Sequence, residues 1–342
     1  RDWSSDVCSS DLTSTMISSV FNNPLPLPMA TAKKNANVKK LNPAENFMLA
    51  GISAAVSKTI AAPIERIKLL LQNQGDAKGI EKPYKGIMDI IKRVPAEQGT
   101  MSFWRGNMAN VYRYFPTQAL NFAFKAEYKK IANKMLPGKD FSSRLLNNVA
   151  AGGAAGATSL LVVYPLDFAR TRMAMDTGVG ENREFKGTLD TVFKTAKTSG
   201  WFKGGVYNGF TISAVGIVIY RGLYFGIYDS TRDLVSGDSE GTLAFIKKFT
   251  LGYSVTTVAG LAAYPIDTIR RRMMMNSGLA LEEQKYKSSI HAFQLILKEE
   301  GVAAYFRGAS ANIFRGLGGT LVLVGFDYFT EFYADWKYGA AQ

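Results

Sequence analysis

Three stretches of the chain share one unusual order of residues: PIERIK at 63–68, PLDFAR at 165–170 and PIDTIR at 265–270. In each, a proline is followed two places on by an acid, and the acid three places on by a base. Each follows a long, mostly apolar run. Tandem units that deliver an acid and a base at the same point restrict the fold to one in which three equivalent helices can meet. The pattern predicts a three-fold ring of ion pairs, which is a gate rather than a hydrolytic site.

The runs before these elements are long enough to matter. No Lys, Arg, Asp or Glu occurs at 145–166, 204–220 or 249–266. Such runs suit membrane spans of about 20 residues, or slightly shorter ones. The spans around 46–70, 107–128 and 308–330 carry scattered charges. Charge in lipid is costly, so these residues are expected to face a protein interior or a water-filled cavity. The mean hydropathy of −0.03 averages over this pattern. A soluble helical repeat protein is the alternative at this point.

A net charge of +13 fits nucleic acid, anionic lipid or a small anionic substrate. The basic residues sit at helix ends and within apolar segments, not in one exposed block. That favours lipid and a small anion, with no nucleic-acid partner. Cys8 is the single cysteine and His291 the single histidine. A disulfide within the chain is excluded, a Cys/His metal site is not expected, and neither residue has a catalytic companion. The expectation is therefore no cofactor, no metal and no enzyme. Residues 1–41 read as a mobile tail without a clear cleavable signal. Its opening RDWSSDVCSSDL matches no functional pattern, and whether it is native stays open.

Three units follow, at 42–137, 142–238 and 243–337, with a short tail at 338–342. Each is expected to hold a long helix ending in the proline-acid-base element, a polar link, a short amphipathic helix and a second long helix. The short helix is opened by YKG at 84–86, FKG at 185–187 or YKSS at 286–289. An aromatic-basic-glycine step precedes the second long helix: WRG at 104–106 and FRG at 306–308, with YNG at 207–209 lacking the base. From Pro63, Pro165 and Pro265 to Gly106, Gly209 and Gly308 the spacing is 43, 44 and 43 residues. The predicted fold is an all-α membrane protein, three tandem repeats forming a six-transmembrane-helix barrel with pseudo-three-fold symmetry and three short helices on one side. Gly152, Gly153 and Gly156, and Gly252 with Gly260, predict close helix approach.

Proline bends a helix, and three bends at one depth can draw three helix ends together. Within one helix an acid and a base three apart can pair. In a ring, Glu65, Asp167 and Asp267 instead pair with Lys68, Arg170 and Arg270 of neighbouring units. A buried pair loses much of its attraction to desolvation, so such a ring can open on modest ligand binding. A static fold-stabilising ring is the bland alternative. The opposite end has a weaker pattern: Tyr228, Asp229 and Arg232 form one acid-base set, but Thr330 and Ala126 stand where a third-unit base and a first-unit acid would be.

Lys58, Arg113, Arg221 and Arg315 lie in or beside apolar runs. No acid stands within four residues of Lys58, Arg113 or Arg315. Bases so placed imply an anion or a distant partner, and arginine's fork suits phosphate. Snorkelling to headgroups is the alternative. Asn107, Asn110, Gln118 and Asn121 add polar groups along the helix of Arg113. Gly216, Ile217 and Tyr220 form an expected slot for a planar base. The glycine steps and short-helix openings look like helix starts that either bind lipid phosphate or simply cap.

The triple proline-acid-base element with its aromatic-basic-glycine step resembles the mitochondrial carrier family, over about residues 42–332. Within it, RRRMMM (Arg270, Arg271, Arg272, Met273, Met274, Met275) is similar to the branch that exchanges ADP and ATP. KLLLQNQ at 68–74, RGNMANVYRYFPTQALNFAFK at 105–125 and YRGLYFG at 220–226 resemble the same branch. The resemblance implies a functional monomer in the mitochondrial inner membrane with both termini toward the intermembrane space. It implies one-for-one exchange of ADP and ATP taken without magnesium, and bound cardiolipin among the inner-membrane lipids. It places phosphates on Lys58, Arg113 and Arg315 with Arg271 nearby, and adenine on Gly216, Ile217 and Tyr220. Gln72 would brace the matrix gate. Ala263 departs from the serine usual before the third Tyr-Pro pair, and SGWFKGGVYNG departs from the second-repeat pattern. A carrier of another adenine nucleotide or anion, or a non-transporting subunit, remains the alternative.

Overall fold

The computed structural model describes residues 43–77, 80, 82–135, 141–235, 242–280, 282–316, 332–333 and 336–338, and every regular element among them is helical. The long helices are α1 (Pro43–Asn73), α3 (Asn107–Met135), α4 (Phe141–Met175), α6 (Phe210–Val235) and α7 (Thr242–Met275). Three short helices of 12 residues lie between them: α2 (Ile87–Gln98), α5 (Thr188–Ser199) and α8 (Ser289–Glu300). A further helix starts at 309–316.

The long helices do not end at the proline-acid-base elements. They pass through Pro63, Pro165 and Pro265 and stop at Asn73, Met175 and Met275. A proline removes one N–H and frees the carbonyl four residues back, which needs another donor. In the first repeat Trp104 Nε1 donates to Thr59 O at 2.8 Å, and in the second Tyr207 Oη donates to Leu161 O at 3.0 Å. Both carbonyls lie four residues before the proline. In the third repeat Phe306 has no polar donor, and its ring stacks on Tyr264 instead. In the first two repeats the aromatic residue of the glycine step thus repairs the helix that its own repeat's proline interrupts.

The glycine that follows serves a different contact. Gly106, Gly209 and Gly308 have φ of 79°, 84° and 82° and immediately precede α3, α6 and the helix at 309–316. A Cβ on them would meet Arg170 O at 2.8 Å, Arg270 O at 3.0 Å and Lys68 O at 2.9 Å. Each second helix therefore starts against the backbone of the next repeat, at its ring base. Both the left-handed φ and the close approach need glycine.

The protein is apolar outside and charged inside. Along α1, Met48, Ile52, Val56 and Ile60 recur every fourth residue and are exposed, whereas Lys58, Glu65, Lys68 and Gln72 are buried. A water-soluble helix has the reverse arrangement. This stripe sets aside the soluble alternative. Segments Leu145–Met175 and Phe210–Tyr228 are long and apolar enough by themselves to cross a membrane. The charge-free run of α7 is diluted by Gly252, Ser254, Thr256, Thr257 and Gly260.

Small residues allow close packing where expected in the second repeat. Gly153 would place a Cβ 3.0 Å from Val218 Cγ2, and Gly152 faces the Arg221 side chain, so α4 and α6 meet closely. Gly260 is more open, with Asn312 Nδ2 at 4.0 Å. Gly51 supplies a further close contact, against the Phe115 ring, that the sequence reading did not single out. The short helix α2 buries Ile90 and Val94, one turn apart, and exposes Met88 and Ile91. Such a helix lies along an apolar boundary.

Candidate substrate site and gate

Each acid of the three elements takes the base of the next repeat. Glu65 pairs with Arg170, Asp167 with Arg270, and Asp267 with Lys68 at 2.9 Å. All six are buried. Contacts therefore run from repeat to repeat and close on the first, rather than within each helix as i,i+3 pairs. The helical period puts acid and base on one face, and that face is turned toward the neighbouring repeats.

Further polar groups share ring oxygens that the bases already hold. Asn110 Nδ2 donates to Glu65 Oε2 at 3.2 Å. Gln72 Nε2 donates to Asp267 Oδ2 at 3.3 Å and to Thr268 Oγ1 at 2.9 Å. Gln72 is thus bound to the ring pair of Lys68 and Asp267. The Lys68 ammonium lies 5.0 Å from the Tyr264 ring centroid, and the Arg270 guanidinium 5.9 Å from that of Tyr164. Cations over aromatic faces are stabilised where water is scarce.

Arg113 has a distant partner, one of the two alternatives that its sequence context left open. Its Nη1 lies 3.7 Å from Asp167 Oδ1, a ring acid of the next repeat, and its Nη2 donates to Asn110 Oδ1 at 3.4 Å. Lys58 is buried on α1, two turns before Glu65. Arg315 Nε donates to Asn312 Oδ1 at 3.2 Å. A cavity joins Arg315 and Tyr220 to Lys68 and Asp267 of the ring, and Ala263 and Tyr253 line it too.

The other expected site residues are placed differently. Tyr220 lines that cavity, but Ile217 is fully buried in an apolar cluster with Leu160, Tyr164 and Phe168, and Gly216 is buried beside it. Arg271 reaches the ring acid Asp267 at 3.3 Å and donates to Thr171 Oγ1 at 3.2 Å, so it sits at ring level. The three consecutive arginines diverge: Arg270 goes to Asp167, Arg271 to Asp267, and Arg272 to Asp76 and Glu300, each at 2.9 Å. Met273 and Met274 are buried in two different apolar clusters, and Met275 packs against a third. At the other end, the Tyr228 ring stacks on Tyr224 at 5.9 Å. The side chains of Asp229 and Arg232 lie outside the described residues, as do Asp327 and Thr330.

One cluster was not read from the sequence. Asp76, past the end of α1, accepts from Arg272 and from Tyr286 Oη at 2.8 Å, with Lys285 at 3.5 Å. Glu300 holds Arg272 and Arg307. Burial alone would raise the Glu300 pKa, but the Arg272 hydrogen bond and the charges of Arg272, Arg307 and Lys285 hold it below the ordinary carboxylate value. Burial and the Asp76 charge raise the Tyr286 phenol. A base two places after the ring base, at Arg172 and Arg272, was the available signal, but Leu70 interrupts it in the first repeat.

A family model described as "Mitochondrial carrier protein" matches residues 39–136, 141–239 and 241–336. The chain belongs to the mitochondrial carrier family. As a carrier it is an all-α membrane protein of three tandem repeats, and a transporter rather than an enzyme. It is 51% identical over 302 residues to "ADP,ATP carrier protein 2, mitochondrial" of Zea mays, covering 86% of this chain and 76% of that one. It is 53% identical over 291 residues to "ADP/ATP translocase 2" of Tachyglossus aculeatus aculeatus, covering 83% and 95%. Against "ADP/ATP translocase 4" of Homo sapiens it is 50% identical over 313 residues, covering 88% and 96%.

Proposed function

We infer that this carrier exchanges ADP for ATP, one for one, across the mitochondrial inner membrane, in which it is a multi-pass protein. The observation that carries the inference is the closed ring of inter-repeat ion pairs beneath Lys58, Arg113 and Arg315, in a chain about half identical to ADP/ATP translocases. The repeats at 42–137, 142–238 and 243–337 each contribute two spanning helices to a six-helix barrel of pseudo-three-fold symmetry. The ring is the matrix gate, shut in this state, and Gln72 braces it. Pro63, Pro165 and Pro265 bend the helices toward it.

Substrate enters from the cytoplasmic side. Its phosphates meet Lys58, Arg113 and Arg315, with Arg271 at ring level below. These cations neutralise the phosphate charge that magnesium would otherwise offset, so the nucleotides are taken without the metal. The adenine lies toward Tyr220, on the helix that also holds Gly216 and Ile217. Arg113 links substrate to gate, because the guanidinium that meets phosphate is the one facing Asp167. Drawing Arg113 to a phosphate weakens its hold on a ring acid. The near balance of desolvation and attraction in buried pairs lets differential binding open the ring. Tyr228, Asp229 and Arg232 belong to the cytoplasmic gate that closes in exchange.

Trading a trivalent for a tetravalent anion moves one charge, and the membrane potential drives ATP outward with about 2.3 kcal/mol per 100 mV. The carrier works as a monomer with both termini toward the intermembrane space. Anionic lipid of the cardiolipin class binds at the helix starts behind the glycine steps. The test is reconstitution in cardiolipin-containing liposomes loaded with ADP, without magnesium. Labelled ATP uptake that requires internal ADP or ATP is expected. Folded protein that takes up none removes the assignment.

A further inference from the structure

The last turn of a helix leaves carbonyls without intrahelical donors, and a cation placed there also meets the negative end of the helix dipole. The ends of α1, α4 and α7 each receive a buried arginine from another repeat. Arg66 of the first repeat donates from Nε to Ala174 O at 3.0 Å and from Nη2 to Asp176 O at 3.2 Å, at the end of α4. Arg172 of the second repeat donates to Met275 O at 2.9 Å, at the end of α7. Arg272 of the third donates to Gln72 O at 3.2 Å, at the end of α1. Their exposures are 1%, 8% and 0%.

These contacts run in the same sense as the ion pairs: first repeat to second, second to third, third to first. Each arginine is also held by its own repeat's links and short helices. Arg66 donates to Gln98 at 2.6 Å, Arg172 to Glu184 at 2.8 Å, and Arg272 to Glu300 at 3.0 Å. Each therefore ties the short-helix side of one repeat to the long-helix end of the next.

We propose that Arg66, Arg172 and Arg272 form a second lock on the closed matrix side, beyond the ion-pair ring, and are positioning residues for the exchange. The proposal rests on the alternating-access reading above. Separating the ends of α1, α4 and α7 to open the matrix side breaks the carbonyl contacts of all three arginines while leaving each repeat's own helices intact. Ion pairs and helix-end contacts then open together, so the release of one is coupled to the release of the other.

The lock is tested by accessibility rather than by transport. The carrier with Cys8→Ser and Ala263→Cys has a single thiol in the cavity beside the ring. In oriented liposomes it is exposed to a membrane-impermeant thiol reagent from one face at a time. Arg66→Met and Arg172→Met are expected to raise labelling from the matrix face about fivefold or more, the scale of losing roughly 1 kcal/mol from the closed state, with cytoplasmic-face labelling unchanged. Arg172→Lys, which keeps a charged donor, is expected to lie between. Matrix-face rates within about twofold of the parent, or equal rises from both faces, overturn the lock, being far below the factor that 1 kcal/mol represents. Loss of the fold in all three variants overturns it too, because the arginines then hold the repeats together in every state. ADP/ATP exchange on the same vesicles is read separately. Its absence, with face-selective labelling intact, removes the substrate assignment and leaves the lock standing.

Discussion

Lys68 of the first repeat and Asp267 of the third meet at 2.9 Å, although 199 positions separate them in the chain. This pair joins the last repeat back to the first. Without it, Glu65 with Arg170 and Asp167 with Arg270 would form an open series. With it, every repeat is both donor and acceptor, and no repeat can tilt outward at this level without breaking two buried pairs.

Reversing one charge leaves a like-charged buried pair. Glu65→Lys is expected to impair exchange strongly, since breaking a buried pair from one side costs about 3–5 kcal/mol. Adding Arg170→Glu is expected to recover part of it. A double-mutant cycle on exchange rates measures the coupling, and additivity within about 0.5 kcal/mol would count against direct pairing.

Arg113→Ala removes a group that faces Asp167 and, in the function proposed above, a phosphate. Exchange is expected to fall at least about 30-fold, the low end of the 2–5 kcal/mol cost of truncating one member of a buried charge pair. The protein should still melt cooperatively in detergent. Normal exchange by this variant would end its phosphate role.

Trp104→Phe and Tyr207→Phe each delete the donor that serves a proline-freed carbonyl, Thr59 O or Leu161 O. Each is expected to lower stability by about 1–3 kcal/mol, the cost of an unsatisfied backbone group. Thermal melts of the purified carrier measure it. Unchanged melting in both variants would show that the carbonyls find other partners.

Glu300→Gln keeps the size of the side chain and removes its charge. The Glu300 pKa is lower folded than unfolded, so its stabilisation is complete above the unfolded value of about 4.3. It disappears as pH falls through the depressed folded value. The melting difference between parent and variant is expected to be largest near neutral pH and to close in acid. A difference that stays constant from pH 7 down to about pH 2, below the depressed folded value, would show that the charge is not the source.

Much of this was legible in the chain because it depends on spacing along a helix. The three proline-acid-base elements mark three repeats, and their equal position predicts that six charges share one level. The same arithmetic placed Gly106, Gly209 and Gly308 at equivalent steps. It missed that the long helices continue past the prolines, because the donors that repair them, Trp104 and Tyr207, are more than 40 positions away.

What the sequence alone determined is the repeat, the residue types in the ion-pair ring and the burial of charge within apolar spans, since all three follow from short-range periodicity. Which base each acid takes was decided by the packing of neighbouring repeats, because within one helix i,i+3 pairing was equally available. The arginines at the helix ends show the same limit. Arg66 stands three places after its proline, while Arg172 and Arg272 stand seven after theirs. The difference of four is about one helical turn, so all three project from a similar face. Only the tertiary structure, by setting one helix end beside the next repeat's arginine, makes these unlike sequence positions physically equivalent.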